Sequence, residues 1–264
     1  MSEPQVRYEA TDGVAVLTLD APPANCYSLE LNRALDDAIL QARFDDEVQV
    51  IVLTGQGEKF FCAGADIAML SSVTQTFKYY FCLHANETLS RLEHTAKLVI
   101  AAINGHCVGG GLEVALACDL RVARRGAGRF GVPEVNLGVL PGTGGTQRLA
   151  RLVGHQKAMR WMVEGRMGDF DQALEEGVVD RVLDAGPAAF MDEVLAYARS
   201  FTAPGRASMA VGHIKRAVQS GAGLPLEQGL ALERELQAKL FASEDCREGL
   251  DAYAGKRKPA FRGR

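Results

Sequence analysis

The feature that most constrains this chain is a change of rhythm: strand and helix patterns alternate through the first two thirds and then only helical spacing remains. The stretch VRYEATDGVAVLTLD alternates apolar and polar residues on both sides of Asp12-Gly13, a dipeptide suited to a tight hairpin turn. After a loop at 21–25, Ser28 stands as an N-cap ahead of helical spacing over Leu29–Phe44. Residues 48–54 form an apolar strand ended by Gly55 and Gly57, and a helix is expected over about 74–94. A second apolar strand over 98–104 runs through Gly109, Gly110 and Gly111 into a helix over 112–118, and Leu120–Arg124 is a strand again. This alternation predicts an α/β architecture. From about residue 188 apolar residues recur at helical spacing across 190–201, 207–218, Leu226–Phe241 and again near Leu250. The expected organisation is a core over residues 1–195 and a helical region over 196–264.

Composition narrows the function classes. A chain of 264 residues with ordinary apolar content can bury a sizeable core. Its net charge of −4 supplies no global field for nucleic acid or anionic membrane. No apolar run reaches the roughly 18–20 residues of a membrane span, and the acidic opening MSEPQVRYEA has neither the apolar stretch of a signal peptide nor the basic character of a transit peptide. Cys26, Cys62, Cys82, Cys107, Cys118 and Cys246 include no Cys-x-x-Cys pair, so free, mostly buried thiols in a reducing cytoplasm are expected. The histidines, His84, His94, His106, His155 and His213, lack ligand spacing, and no metal site is expected.

Three segments carry chemistry. FCAGADI (61–67) follows a buried strand and places small residues where backbone must approach something closely. In NGHCVGGGLEVALACD (104–119) a strand runs through three glycines into a helix start, whose unpaired N–H groups suit an anion, with Glu113 in the first turn. In FGVPEVNLGVLPGTGGTQRL (130–149) Glu134 follows Pro133, and Gly142, Gly144 and Gly145 precede another helix. Taken singly, Glu113 reads as a helix-start residue and Glu134 as a solvated loop carboxylate. The triple glycine is neither a dinucleotide fingerprint nor a P-loop. Together, two glycine-rich loops and two carboxylates in apolar surroundings supply what enolate chemistry needs: donors for a developing oxyanion, and an acid and a base. No G-x-S-x-G elbow competes. His106 adjoins Cys107, but neighbours on a strand point to opposite faces.

These segments, in this order and together with the ending EDCREGLDAYAGKRKPAF, resemble the crotonase superfamily, the enoyl-CoA hydratase/isomerase proteins, over nearly the whole chain. The resemblance implies a spiral of ββα units with a C-terminal helical trimerisation region, assembled as a homotrimer or a dimer of trimers. It implies an acyl-CoA thioester substrate in fatty acid metabolism, with no cofactor beyond the coenzyme A that the substrate carries. It places the oxyanion-hole N–H groups on Ala63 and Gly110 and the hydratase glutamates on Glu113 and Glu134. The N–H of Gly142 falls where the catalytic water is held, and Ala24, Ala65, Asp66 and Ile67 fall where coenzyme A binds. Retention of both glutamates favours hydration over double-bond isomerisation. Another crotonase-type reaction and a non-catalytic or RNA-binding member are the alternatives.

The sequence departs from the family pattern in places. ARRGAGR, between the two glutamates, is one residue longer than is common in the hydratases. Ala68 stands where many relatives carry a lysine, which removes a contact to a coenzyme A phosphate. Lys256, Arg257, Lys258 and Arg262 in the tail are candidates to replace that charge from a neighbouring subunit, a solvated tail being the alternative. Phe77, Tyr79, Tyr80 and Phe81 lie in the helix that borders the acyl pocket of the family. They either shape that pocket or pack as core at helical spacing.

Overall fold

The structure is a computed structural model that describes residues 5–264, so the first four residues of the opening segment lie outside it. β1 (Gln5–Thr11) and β2 (Val14–Asp20) form the expected hairpin, with Thr11 facing Val14. Asp12 and Gly13 both take positive φ, 52° and 78°, which lets a two-residue turn follow the twist of its strands. α1 (Leu29–Phe44) begins where the Ser28 side chain accepts a hydrogen bond from the Leu31 N–H. Then come β3 (Val50–Gly55), β4 (Phe60–Cys62), α2 (Ile67–Ser72) and α3 (Gln75–His94), followed by β5 (Leu98–Ile103), β6 (His106–Val108) and α4 (Gly110–Leu116). A third round follows with β7 (Leu120–Arg124), β8 (Phe130–Gly131), a 3-10 turn over Glu134–Leu137, α5 (Gly145–Val153) and α6 (His155–Val163). β9 (Met167–Gly168), α7 (Phe170–Glu175) and β10 (Arg181–Leu183) close the sheets.

The repeat is a ββα unit in which the first strand joins one sheet and the second joins another. The larger sheet has the order β1-β2-β3-β5-β7-β10 and the smaller β4-β6-β8-β9. Beyond the hairpin the larger sheet is parallel, and in the smaller one β4, β6 and β8 run parallel. Ala15, Leu17, Leu19, Ile51, Leu53, Val99, Ala101 and Ile103 project from the larger sheet into a core shared with α1 and α3. Val14, Val50, Val52, Leu98, Ile100 and Ala102 project the other way, against Phe190, Val194 and Ala198 of α8 (Pro187–Arg199). Covering both faces of a parallel sheet is why these strands read as unbroken apolar runs.

The remaining helices are α9 (Ser208–Gly221), α10 (Leu226–Phe241) and α11 (Glu244–Ala254). A division of the chain at 195/196 falls inside α8, whose apolar face lies on the sheet. α9 docks close to the core. A methyl group at Gly212 would lie 1.9 Å from the Ala96 carbonyl oxygen. Three residues on, the Lys215 ammonium donates to the Leu92 carbonyl at 2.6 Å and pairs with Asp119 at 2.8 Å. The short strands of the smaller sheet escaped the sequence reading because two or three residues carry no period to detect. The helix expected from Leu112 starts earlier, at Gly110, so Gly110 and Gly111 belong to its first turn and Gly109 stands as its N-cap.

Candidate active site

The parallel strands of the smaller sheet end at one edge, and the loops leaving β4, β6 and β8 line a cleft of about 450 Å³. After Cys62 the chain turns through Ala63, Gly64 and Ala65 to Asp66, whose carboxylate caps α2 by accepting from the N–H groups of Ala68 and Met69. After Val108 it turns through Gly109, at φ 55° and ψ −126°, directly into α4. That conformation favours glycine, and a methyl group at Gly109 would also lie 2.8 Å from Glu134 Oε1. A methyl group at Gly111 would lie 2.2 Å from the Cys62 carbonyl oxygen, so α4 sits against the β4–α2 loop only because that residue has no side chain.

This approach brings two N–H groups together, and they are not both the expected ones. The Ala63 N–H donates to the Ala24 carbonyl at 3.1 Å, so the chain itself engages it and it does not point free into the cleft. The Gly110 N–H belongs to the first turn of α4 and has no intrahelical acceptor. The N–H facing it is that of Ala65, whose nitrogen is 3.7 Å from where a Gly110 methyl group would stand. Neither N–H finds a backbone acceptor among the described residues. Ala65, read from the sequence as part of the coenzyme A segment, therefore holds the position expected for Ala63.

Glu113 and Glu134 both line the cleft, so the longer turn between β7 and β8 does not separate them. Glu113 is buried, and Oε1 accepts from the Thr143 N–H at 2.8 Å and the Gly145 N–H at 2.7 Å, while Oε2 accepts from the Thr143 hydroxyl. Burial pushes its carboxyl above the ordinary range, and these three donors pull it partly back. Glu134 is less enclosed, and its Oε2 is buried with no partner among the described residues. Burial first, and repulsion from Glu113 second, raise it to about 7. The two carboxyls thus differ in kind: one is fixed by donors, and the other is free to hold or release a proton near neutral pH.

The donors to Glu113 are themselves fixed. Arg148 folds back from α5 to donate to the Thr143 carbonyl at 3.1 Å, and holds Glu93 at the end of α3 by two bonds of 2.8 and 2.7 Å. Thr143 carried no signal in the sequence, because its role depends on a loop 30 residues away from Glu113 in the chain. Thr143→Val is expected to keep the shape and remove one donor, costing roughly 1.5–3 kcal/mol at a charged acceptor. The Glu113 carboxyl then rises further, so the acid limb of the pH–rate profile moves to higher pH. An unchanged limb would deny that this hydroxyl supports the ionised carboxylate.

Gly142, Ala65 and Ile67 line the cleft, whereas Ala24 and Asp66 do not. Ala24 adjoins it through the bond to Ala63, and Asp66 through its cap on α2. Of the aromatic run, Phe81 lines the cleft and Phe77 stacks behind it, while Tyr79 and Tyr80 face outward. Between them, unremarked in the sequence, Lys78 turns into the cleft.

The family model for enoyl-CoA hydratase/isomerase matches residues 9–264. A short-chain-enoyl-CoA hydratase of Clostridium acetobutylicum is 38% identical, over 93% of this chain and 92% of its own. A crotonyl-CoA hydratase of Syntrophomonas wolfei is 34% identical over 99% of both. The crystal structure of an enoyl-CoA hydratase from Geobacillus kaustophilus superposes with a TM-score of 0.95 at 42% identity, covering 100% of this chain and 98% of that one.

Proposed function

The chain belongs to the enoyl-CoA hydratase/isomerase family, and from that membership we propose that it is an enoyl-CoA hydratase, adding water reversibly across a 2-enoyl-CoA to give a 3-hydroxyacyl-CoA. It is an enzyme of the hydro-lyase type, and its substrate is an acyl-CoA thioester. The observation that carries the mechanism is the unlike pair of carboxyls on one cleft, Glu113 held by three donors with acceptor capacity left on Oε2, and Glu134 with a free buried oxygen.

The thioester oxygen sits between the N–H groups of Ala65 and Gly110, where negative charge develops as the enolate forms. Each such donor contributes on the order of 3 kcal/mol to the barrier difference. Glu113, ionised, orients the water and takes its proton, and the Gly142 N–H helps hold that water. Glu134, protonated, delivers its proton to C2, and dehydration runs the roles in reverse. Both carboxyls lie on one cleft, which supports addition to a single face of the double bond. Coenzyme A runs out past Ala24, Ala65, Asp66 and Ile67. Asp66 meets it through backbone, because its carboxylate is committed to α2. The reaction needs no further cofactor.

The protein works in the cytoplasm, a reading supported by its six free cysteines; no helix of the described residues is long and apolar enough to cross a membrane. It assembles as a trimer or a dimer of trimers. Val139, Leu140, Met159 and Val163 form an exposed apolar groove beside the 3-10 turn, and Leu226, Phe241 and Tyr253 are exposed on the helical region over 196–264.

With crotonyl-CoA the expected product is 3-hydroxybutyryl-CoA, seen as loss of the conjugated enoyl absorbance. Conversion of a 3-enoyl thioester into its 2-enoyl isomer, faster than the 2-enoyl thioester is hydrated, would move the assignment to isomerase.

A further inference from the structure

Lys78 is the only basic side chain lining the cleft among the described residues. It projects from the end of the first turn of α3, after Thr74 and Gln75, which also line the cleft, whereas α2 contributes apolar Ile67 and Leu70. Its ammonium lies 5.0 Å from the centre of the Phe81 ring and beside the Cys82 thiol one turn along. It forms no ion pair with either glutamate: Glu113 spends its oxygens on Thr143 and Gly145, and Glu134 Oε2 has no partner. A positive charge therefore faces the reaction chamber with no anion committed to it.

The consequence appears when substrate fills the cleft. An apolar enoyl chain displaces water from the ammonium and offers nothing in return, and a charge stripped of water without a partner is penalised. A chain with a carboxylate at its far end replaces the lost water with an ion pair. Lys78 acts on the acyl side of the cleft rather than at the coenzyme A side near Ile67, because it stands over Phe81 of the cleft wall and beside Cys82, whose sulfur is 3.1 Å from where a methyl group at Gly142 would stand, next to the Thr143 that holds Glu113. Resting on the hydratase reading of the same site, we propose that Lys78 is a specificity-determining residue that selects 2-enoyl thioesters whose acyl chain ends in a second carboxylate.

The test compares glutaconyl-CoA with pent-2-enoyl-CoA, which have equally long chains and differ in a terminal carboxylate against a methyl group. In the wild-type protein kcat/KM is expected to favour the dicarboxyl thioester at least about tenfold, because a site that holds a charged partner rejects the analogue lacking it. Lys78→Met lowers that ratio at least about tenfold, and Lys78→Arg keeps most of it. Lys78→Gln gives the same reading where the apolar variant folds poorly. A ratio unchanged by Lys78→Met overturns the proposal, including the case in which Lys78 holds a coenzyme A phosphate and all thioesters weaken alike. A wild-type ratio near one overturns it too. Hydration of pent-2-enoyl-CoA itself tests the hydratase reading separately: if the wild-type protein hydrates neither thioester, that reading fails first.

Discussion

Glu134→Gln is expected to lower kcat for crotonyl-CoA hydration by roughly 100- to 10,000-fold, the range for loss of a positioned acid or base. Glu113→Gln is expected to do the same. The second exchange is close to isosteric: the amide oxygen keeps the Thr143 and Gly145 N–H bonds, and the amide NH2 donates to the Thr143 hydroxyl, which turns to accept. Folding is then preserved and the loss reports the missing charge. Wild-type hydration is expected to fall as pH rises through about 7, where Glu134 loses the proton that the proposed mechanism has it deliver. In Glu113→Gln that limb moves to lower pH, since repulsion from Glu113 is one of the two causes raising Glu134. Turnover near the wild-type level in both variants would remove the glutamates from the mechanism.

The same carboxyl costs stability. The native protein takes up a proton at Glu134 near pH 7, and the unfolded chain only near 4.5. Between these values the folded state binds more protons, so stability is lost as pH rises across the window. Glu134→Gln has nothing to ionise there. Its Tm relative to wild type is expected to be higher at pH 8 than at pH 4, the mark of a residue kept for chemistry rather than for folding.

Lys215→Met is expected to cost about 3–5 kcal/mol of stability, the effect of removing one partner from a buried ion pair. Lys215 and Asp119 are only 2% and 8% exposed as side chains. Without the lysine, Asp119 keeps the Val99 N–H at 2.7 Å and Gln219 at 3.2 Å, and no cation. Burial already raises the Asp119 carboxyl, and losing Lys215 raises it further. A raised carboxyl leaves stability intact at low pH and removes it as pH climbs through the folded-state value. The Tm deficit of Lys215→Met is therefore expected to be larger at pH 8 than at pH 5, and Asp119→Asn in the same chain is expected to recover much of it. A deficit that neither follows pH nor responds to the second change would trace to lost packing of α9 instead.

Part of this protein was legible before any coordinates. The hairpin at Asp12-Gly13, the Ser28 cap, the apolar strands and the late helices each follow from residues near one another in the chain. Turn geometry, capping and periodicity are local physics, and local physics is written in consecutive residues. Glu113 and Glu134 were singled out the same way, because the glycine-rich segments around them are contiguous, and both line the cleft. The smaller sheet was not found: strands of two or three residues exist only through their neighbours. Ala63 and Ala65 are equally small and stand in the same loop. Which one offers a free N–H was settled by where the Ala24 carbonyl falls, a contact 39 residues away in the chain. Thr143 and Lys78 became visible only when their side chains turned toward the cleft. The sequence by itself determined which chemistry was at hand: two carboxyls, two glycine-rich turns, and the alternating elements that carry them. The tertiary structure decided which N–H is unpaired, which carboxyl is fixed, and which charge lacks a partner, since each depends on contacts between segments that no local pattern encodes.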